Sequence, residues 1–224
     1  MFALVLGPTG TAGSELLRLC VADDRFARVM AISRRPLALD SPRLKVLLRE
    51  QFMDYSDMDR LLAQVDVCFF ALGVSQTVER DPARYRVITY DYPLQLARAL
   101  HQANPAARFC FLSGQGADPT MKSRAMFARV KGEAEKDLRA LLRDRLLVYR
   151  PGYIHPVHPK ENPTWSDRLA APFVLLRPML PGLVTNSNEL ARAMIYGGTG
   201  GEVPPLLENR DIIAAAERYD ATVG

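Results

Sequence analysis

The segment "FALVLGPTGTAG", residues 2–13, constrains the fold of this chain more than any other. Five apolar residues run directly into a turn with glycine at positions 7, 10 and 13, and a helical pattern begins within that turn. Glycines at this spacing suit a sharp passage from strand to helix in which backbone N–H groups approach an anion. Gly7, Thr9, Gly10, Thr11 and Gly13 are therefore read as a cradle for a pyrophosphate. A tight turn without a ligand could use the same residues. The strand before the turn and the helix after it favour the ligand.

The rest of the chain repeats the strand–helix alternation. "FALVL" (2–6), "RVMAIS" (28–33), "LKVLL" (44–48), "VCFFAL" (67–72), "RFCFLS" (108–113) and "RLLVYR" (145–150) are predicted strands. They are almost continuously apolar, as expected of parallel strands covered on both faces. Helical spacing links Leu16, Leu17 and Cys20, then Tyr85, Ile88, Tyr92, Leu96, Ala99 and Leu100, then Phe127, Val130, Ala134, Leu138, Leu141 and Leu142. Pro93 is expected to kink the second helix or mark where it restarts. Such alternation with short connections implies right-handed βαβ units and an α/β, doubly wound parallel β-sheet with helices on both faces.

After Arg150 the texture changes. "RPGYIHPVHPKENP" is expected to be mostly loop. Three prolines interrupt "LAAPFVLLRPMLPGLV", which disfavours a long membrane helix, and Phe173 to Val184 are expected to serve as core or dimer packing. "NSNELARAMIYGG" predicts a helix, with Asn186 and Glu189 as a capping box and Gly197 and Gly198 at its end. A short strand around "EVPPLLE" and a helix over "RDIIAAAERY" follow. Residues 1–224 are read as a single dinucleotide-binding domain, with 151–224 a small C-terminal elaboration on its substrate side.

The end of the second predicted strand bears on which dinucleotide binds. An NAD enzyme typically places a carboxylate there for the ribose 2′-hydroxyl. This chain has Ser33, Arg34 and Arg35 instead. Guanidinium groups bond a 2′-phosphate, whereas a carboxylate repels it. The cofactor expected is NADP(H), with Arg34 the first ligand and Arg35 the second. Ala71, Leu72 and Gly73 end the fourth strand, where ligands bind in such sheets.

The net charge of +4 suits an anionic ligand, but no Lys/Arg block tracks a phosphate backbone, so nucleic acid is not an expected partner. Cys20, Cys68 and Cys110 are far apart and form no CxxC, which fits buried thiols in a reducing cytoplasm. The first apolar run is too short for a membrane span and lacks a basic leader, so no signal peptide or stable membrane insertion is expected. His155 and His158 lie in a proline-rich stretch with only Glu161 near, fewer ligands than zinc requires, and no metal is expected.

Taken in order, the glycine turn, "SRR", "LSGQGAD" (112–118), "VKGEAE" (130–135) and "YRPGYI" (149–154) resemble an atypical short-chain dehydrogenase/reductase of Rossmann type. The similarity is to the NmrA-like and Tat-interacting-protein-like oxidoreductases, often labelled nucleoside-diphosphate-sugar epimerases, and covers roughly residues 1–155. The resemblance implies an NAD(P)-dependent oxidoreductase acting on a small molecule, with Pro151 and Gly152 near the cofactor; a homodimer is the assembly considered beside it. It also implies an active site of a serine, here Ser113, with a tyrosine and a lysine four residues apart. The lysine, here Lys131, holds the nicotinamide ribose and lowers the tyrosine's pKa. Phe127 stands where the tyrosine is expected. Tyr153 is a candidate substitute acid at the pocket mouth. An oxidoreductase with a rewired acid is thus one reading. An NADP-binding regulatory protein that senses redox state without turnover is the other. A cofactor-free scaffold leaves the glycines and the basic turn unexplained.

Overall fold

The protein is described by a computed structural model covering residues 1–158 and 182–223. The apolar runs become β1 (Phe2–Leu6), β2 (Arg28–Ser33), β3 (Leu44–Leu48), β4 (Val67–Phe70), β5 (Arg108–Leu112) and β6 (Leu146–Arg150). Three shorter strands follow: β7 (Tyr153–His155), β8 (Val184–Asn186) and β9 (Leu206–Glu208). Among the described residues the main sheet has the order β3-β2-β1-β4-β5-β6-β9. Every pairing in it is parallel. The chain winds outward from β1 to β3, returns to the centre at β4 and winds out again. The reversal opens a crevice between the carboxyl ends of β1 and β4.

Each strand feeds two cores because successive side chains point to opposite faces. Leu4, Leu6, Met30, Ile32, Phe70, Phe109 and Phe111 face one side. There they meet Leu96 and Leu100 of α4 (Tyr92–Ala103) and Leu138 of α5 (Met126–Leu142). Ala3, Val5, Val29, Ala31, Phe69 and Cys110 face the other side. They are covered by α1 (Thr11–Ala22), α6 (Ser187–Gly198) and α7 (Asn209–Val223). Two short helices, α2 (Asp59–Leu62) and α3 (Pro82–Arg86), complete the set among the described residues. None of these helices is long and apolar enough to cross a membrane.

Pro93 acts as a restart. A π turn, Val87–Asp91, joins α3 to α4, and the Tyr92 N–H donates to the Val87 carbonyl five residues back. Proline has no N–H to give Thr89, and its ring crowds that carbonyl, so one wider turn relieves the clash.

In the C-terminal third one expectation is met and one is corrected. Gly197 and Gly198 lie inside the last turn of α6, and Thr199 follows as its cap. A Cβ on Gly198 would lie 2.6 Å from Phe69, and one on Gly197 would lie 2.5 Å from the Tyr149 hydroxyl. These glycines let the helix approach the sheet. The stretch expected to be loop after Arg150 also contains a strand: Tyr153, Ile154 and His155 pair in parallel with Val184, Thr185 and Asn186. Three residues are too few to show a period, and the partner strand is distant in sequence. Of the apolar stretch beginning at Phe173, residues up to Pro181 lie outside those described. Val184 is buried in β8.

Candidate functional site

The glycine turn is built by steric necessity. Gly7 has φ +77°, and a Cβ there would lie 2.6 Å from the Ala71 carbonyl and from Leu72 Cα. A Cβ on Gly13 would lie 2.0 Å from the Gly7 carbonyl oxygen. The first glycine thus permits the turn and the contact with the neighbouring strand end, and the third seats α1 on the turn. Gly10 is the N-cap of α1, with no capping side chain and no acidic residue in the first turn. The N–H groups of the first helical residues are left to an external acceptor.

Around this turn lies a cleft of about 130 Å³ lined by Gly7 to Gly10, Ile32 to Arg35, Phe52 and Ala71 to Gly73. It contains no carboxylate. A second cleft of about 540 Å³ shares Arg34, Phe52, Leu72 and Gly73 with the first and continues to Val87, Ile88 and Tyr92. Ser33 is buried, and its hydroxyl accepts the Arg35 N–H at 3.2 Å, so it shapes the basic turn. Arg34 and Arg35 are exposed. Among the described residues their side chains appear in no hydrogen bond or ion pair. The structure therefore brings the glycine turn, "SRR" and "ALG" to one place. It adds Phe52, which sequence reading missed although it lies just past β3, at the carboxyl edge of the sheet. The bare helix N-terminus, the Cβ-free turn and the unengaged guanidinium groups fit a phosphate-bearing dinucleotide.

Ser113, Phe127 and Lys131, also singled out from the sequence, lie where the segment after β5 faces α5, and none of them lines either cleft. Met126 to Leu142 form a helix whose Phe127 and Lys131 share a face. Position 114 lies against Lys131: a Cβ on Gly114 would be 3.5 Å from Lys131 Cε and 3.9 Å from its Nζ. A Cβ on Gly116 would be 3.9 Å from the Phe127 ring. Ser113 points elsewhere. It is buried, and its hydroxyl donates to Glu135 Oε1 at 2.5 Å. Glu135 is itself buried and ion-paired with Arg150, whose Nη1 also reaches Glu208 Oε1 at 3.1 Å. β5 ends at Leu112, one residue before the predicted end, and the position that lies against Lys131 is Gly114, which has no side chain.

Lys131 is partly buried and, among the described residues, makes no hydrogen bond or ion pair. Burial pushes its amine down from 10.5 to about 8, against the opposing field of Glu135. An ammonium removed from water without a bonded counterion loses its proton more easily.

Pro151 and Gly152 do not line either cleft. The Pro151 carbonyl accepts the Gln115 N–H at 2.9 Å, and the Gly152 N–H donates to Asn209 Oδ1 at 2.9 Å. A Cβ on Gly152 would meet the Leu183 carbonyl at 2.1 Å, so this pair docks the β7–β8 ribbon on the sheet. Tyr153 and His155 lie in that ribbon. His158 Nε2 approaches the buried Glu15 carboxylate at 3.5 Å. Burial raises the Glu15 pKa, and hydrogen bonds from Arg18 and Asn188 more than offset that, holding it below the usual carboxylate range.

The sequence profile of the NAD dependent epimerase/dehydratase family matches residues 3–131, from the first strand to Lys131. Protein HTATIP2 of Rattus norvegicus is 29% identical over 225 aligned positions, covering 90% of this chain and 91% of the rat protein. The mitochondrial protein FMP52 of Saccharomyces cerevisiae is 32% identical over 155 positions, covering 68% of this chain and 65% of the yeast protein. Among solved structures, a short-chain dehydrogenase/reductase family oxidoreductase from Burkholderia thailandensis superposes with a TM-score of 0.69 at 16% identity. That match covers 99% of this chain and 97% of the other. UDP-glucuronic acid 4-epimerase from Bacillus cereus, solved with NAD, gives a TM-score of 0.65 at 14% identity over 93% of this chain and 77% of its own. These structures share the fold.

Proposed function

We propose a function from one premise: this chain belongs to the NAD dependent epimerase/dehydratase family and takes a nicotinamide dinucleotide. The reading is an NADP(H)-binding, oxidoreductase-like protein of the atypical short-chain type that reduces a small carbonyl compound without the usual tyrosine. The observation that carries NADP(H) is the pair Arg34 and Arg35, unengaged at the rim of the glycine-turn cleft, whose lining holds no carboxylate; Glu50 and Glu79 line the adjoining cleft that shares Arg34. The glycine turn and the start of α1 would hold the pyrophosphate. Arg34, backed by Arg35, would hold the 2′-phosphate, and Phe52, Leu72 and Gly73 would wall the nucleotide. Lys131 would face the nicotinamide end. When bound, the cofactor supplies a hydride, and the residues of the chain orient the reactants and manage the proton.

Binding is tested by titrating NADPH and NADH against the melting temperature and against NADPH fluorescence. A rise in melting temperature with NADPH, larger than with NADH, supports the reading. No response to either sinks it.

A second reading is favoured by the absence of a hydroxyl at positions 114 and 127. In it the protein binds NADP(H) as a regulatory or interaction protein that reports redox state without turnover. A panel of aldehydes, ketones and quinones, with NADPH oxidation as readout, separates the two. Turnover by wild type removes the second reading. No turnover by wild type, with turnover appearing in Phe127→Tyr, favours it.

We assign residues 151–224 to the substrate side, within one domain spanning the chain, and a homodimer as the assembly, which sedimentation tests. Cytoplasmic placement rests on three free, buried cysteines, and cell fractionation tests it because the FMP52 relatives are named mitochondrial.

A further inference from the structure

We propose that Lys131 is the proton donor of this site, delivering a proton from its Nζ to the oxygen of a carbonyl substrate. The proposal rests on the reductase reading above.

Lys131 shares its helix face with Phe127, and both side chains meet the segment after β5. That segment offers no competing proton. Gly114 and Gly116 have no side chains, and Phe127 cannot exchange a proton. The Ser113 hydroxyl is directed to Glu135, and the Gln115 amide donates to the Gly182 carbonyl at 3.2 Å. Among the described residues, the side chains nearest Gly114 and Gly116 are thus those of Lys131 and Phe127.

The charged groups nearby are already engaged. Glu135, one turn further along α5, is held by Arg150 of β6 and by Ser113. Across α5, Arg86 of α3 pairs with Glu133, and the Tyr90 hydroxyl of the π turn donates to Asp137 at 2.6 Å. Asp118, in the loop before α5, accepts from Thr120 and from the Ser123 N–H. Among the described residues no carboxylate therefore pins the Lys131 ammonium. Its amine titrates near 8, close enough to neutrality for the ammonium to release a proton readily while remaining mostly charged at pH 7.

The step balances as follows. The carbonyl carbon gains a hydride, with its electron pair, from the reduced nicotinamide. The C=O π pair moves onto oxygen, which takes a proton from Lys131. An alcohol and oxidised cofactor leave, and the neutral amine regains its proton from water.

Two experiments on the full chain test this. In the first, Lys131 in the cofactor-free protein is acetylated with trace acetic anhydride across pH 6–11 and followed by peptide mass spectrometry. The expected reactivity midpoint is near 8. A midpoint in the ordinary lysine range overturns the proposal, whatever binds in the cleft. In the second, Lys131→Arg keeps a cation that does not release its proton. At saturating NADPH the variant is expected to lose about 10²–10⁴ in kcat for carbonyl reduction, whatever its change in NADPH affinity. Wild-type kcat is expected to fall as pH rises through 8, because the donor must be protonated, and the residual rate of the variant should lack that limb. Retained turnover in Lys131→Arg overturns the proposal, as does loss of turnover confined to Tyr153→Phe. Wild type that binds NADPH but reduces no carbonyl overturns it while leaving the binding site standing. A chain that does not bind NADPH at all sinks the functional reading, and the proton donor with it.

Discussion

At position 113 an offset of one residue decides which residue meets Lys131. The glycine turn and "SRR" were legible in the sequence because their geometry is local: each needs only a strand end and the next few residues. The facing of Ser113 was not legible. It depends on β5 ending at Leu112 and on Glu135 and Arg150 closing a buried ion pair beneath it. Two predictions belong to this scale. Arg34→Ala removes a charge-assisted contact worth about 1.5–3 kcal/mol, so NADPH affinity should fall roughly 10–100-fold while NADH affinity stays within about twofold. Isothermal titration with both cofactors measures this, and equal losses would refute the 2′-phosphate assignment. Glu135→Gln leaves Arg150 short of a buried partner and should cost about 3–5 kcal/mol. The same change removes the one field that raises the Lys131 pKa, so its acetylation midpoint should drop below 8. A rise would mean that Glu135 does not act on Lys131.

Among the elements, five of the six apolar strands were readable because burial on both faces leaves an unbroken hydrophobic run, whereas β3, at the sheet edge, is only partly buried. β7 and β8 were not, because three residues carry no period. Pro93 announced a break, and the structure shows its form as a π turn. The helix α6 illustrates both outcomes. Its start is a local signal: the Asn186 N–H donates to Glu189 Oε2 at 2.9 Å, as the capping box predicts. Its last turn is a tertiary effect, since Gly197 and Gly198 are set by Tyr149 and Phe69. Glu189→Ala should therefore cost about 1 kcal/mol, a fall of roughly 2–4 °C in melting temperature by calorimetry. Gly198→Ala, although alanine has the better helix propensity, should destabilise by about 1–3 kcal/mol, because its Cβ would lie 2.6 Å from a buried ring on the sheet. A neutral or stabilising result would show that α6 can slide outward.

For the molecule as a whole, stability and function pull on Lys131 in opposite directions. Its folded pKa lies near 8, below its ordinary 10.5. Below pH 8 both folded and unfolded chains carry the proton, and the folded chain bears the full cost of the buried charge. Between 8 and 10.5 the unfolded chain binds more protons, so stability rises with pH at up to about 1.4 kcal/mol per unit. Lys131→Met should accordingly stabilise the cofactor-free protein most at pH 7, by on the order of 2 kcal/mol, with the gain fading above pH 8. Urea unfolding at pH 7 and pH 10 measures it, and an equal gain at both would mean that packing, not charge, explains it. A different freedom follows from the ribbon. The chain leaves β7 at His155 and returns at Val184 beside Tyr153, so everything between is a closed excursion anchored at adjacent points. Closing such an excursion depends only weakly on its length. Changing the number of residues between His158 and Gly182 should therefore leave the sheet and the glycine turn folded, and calorimetry checks this by a melting temperature that shifts little.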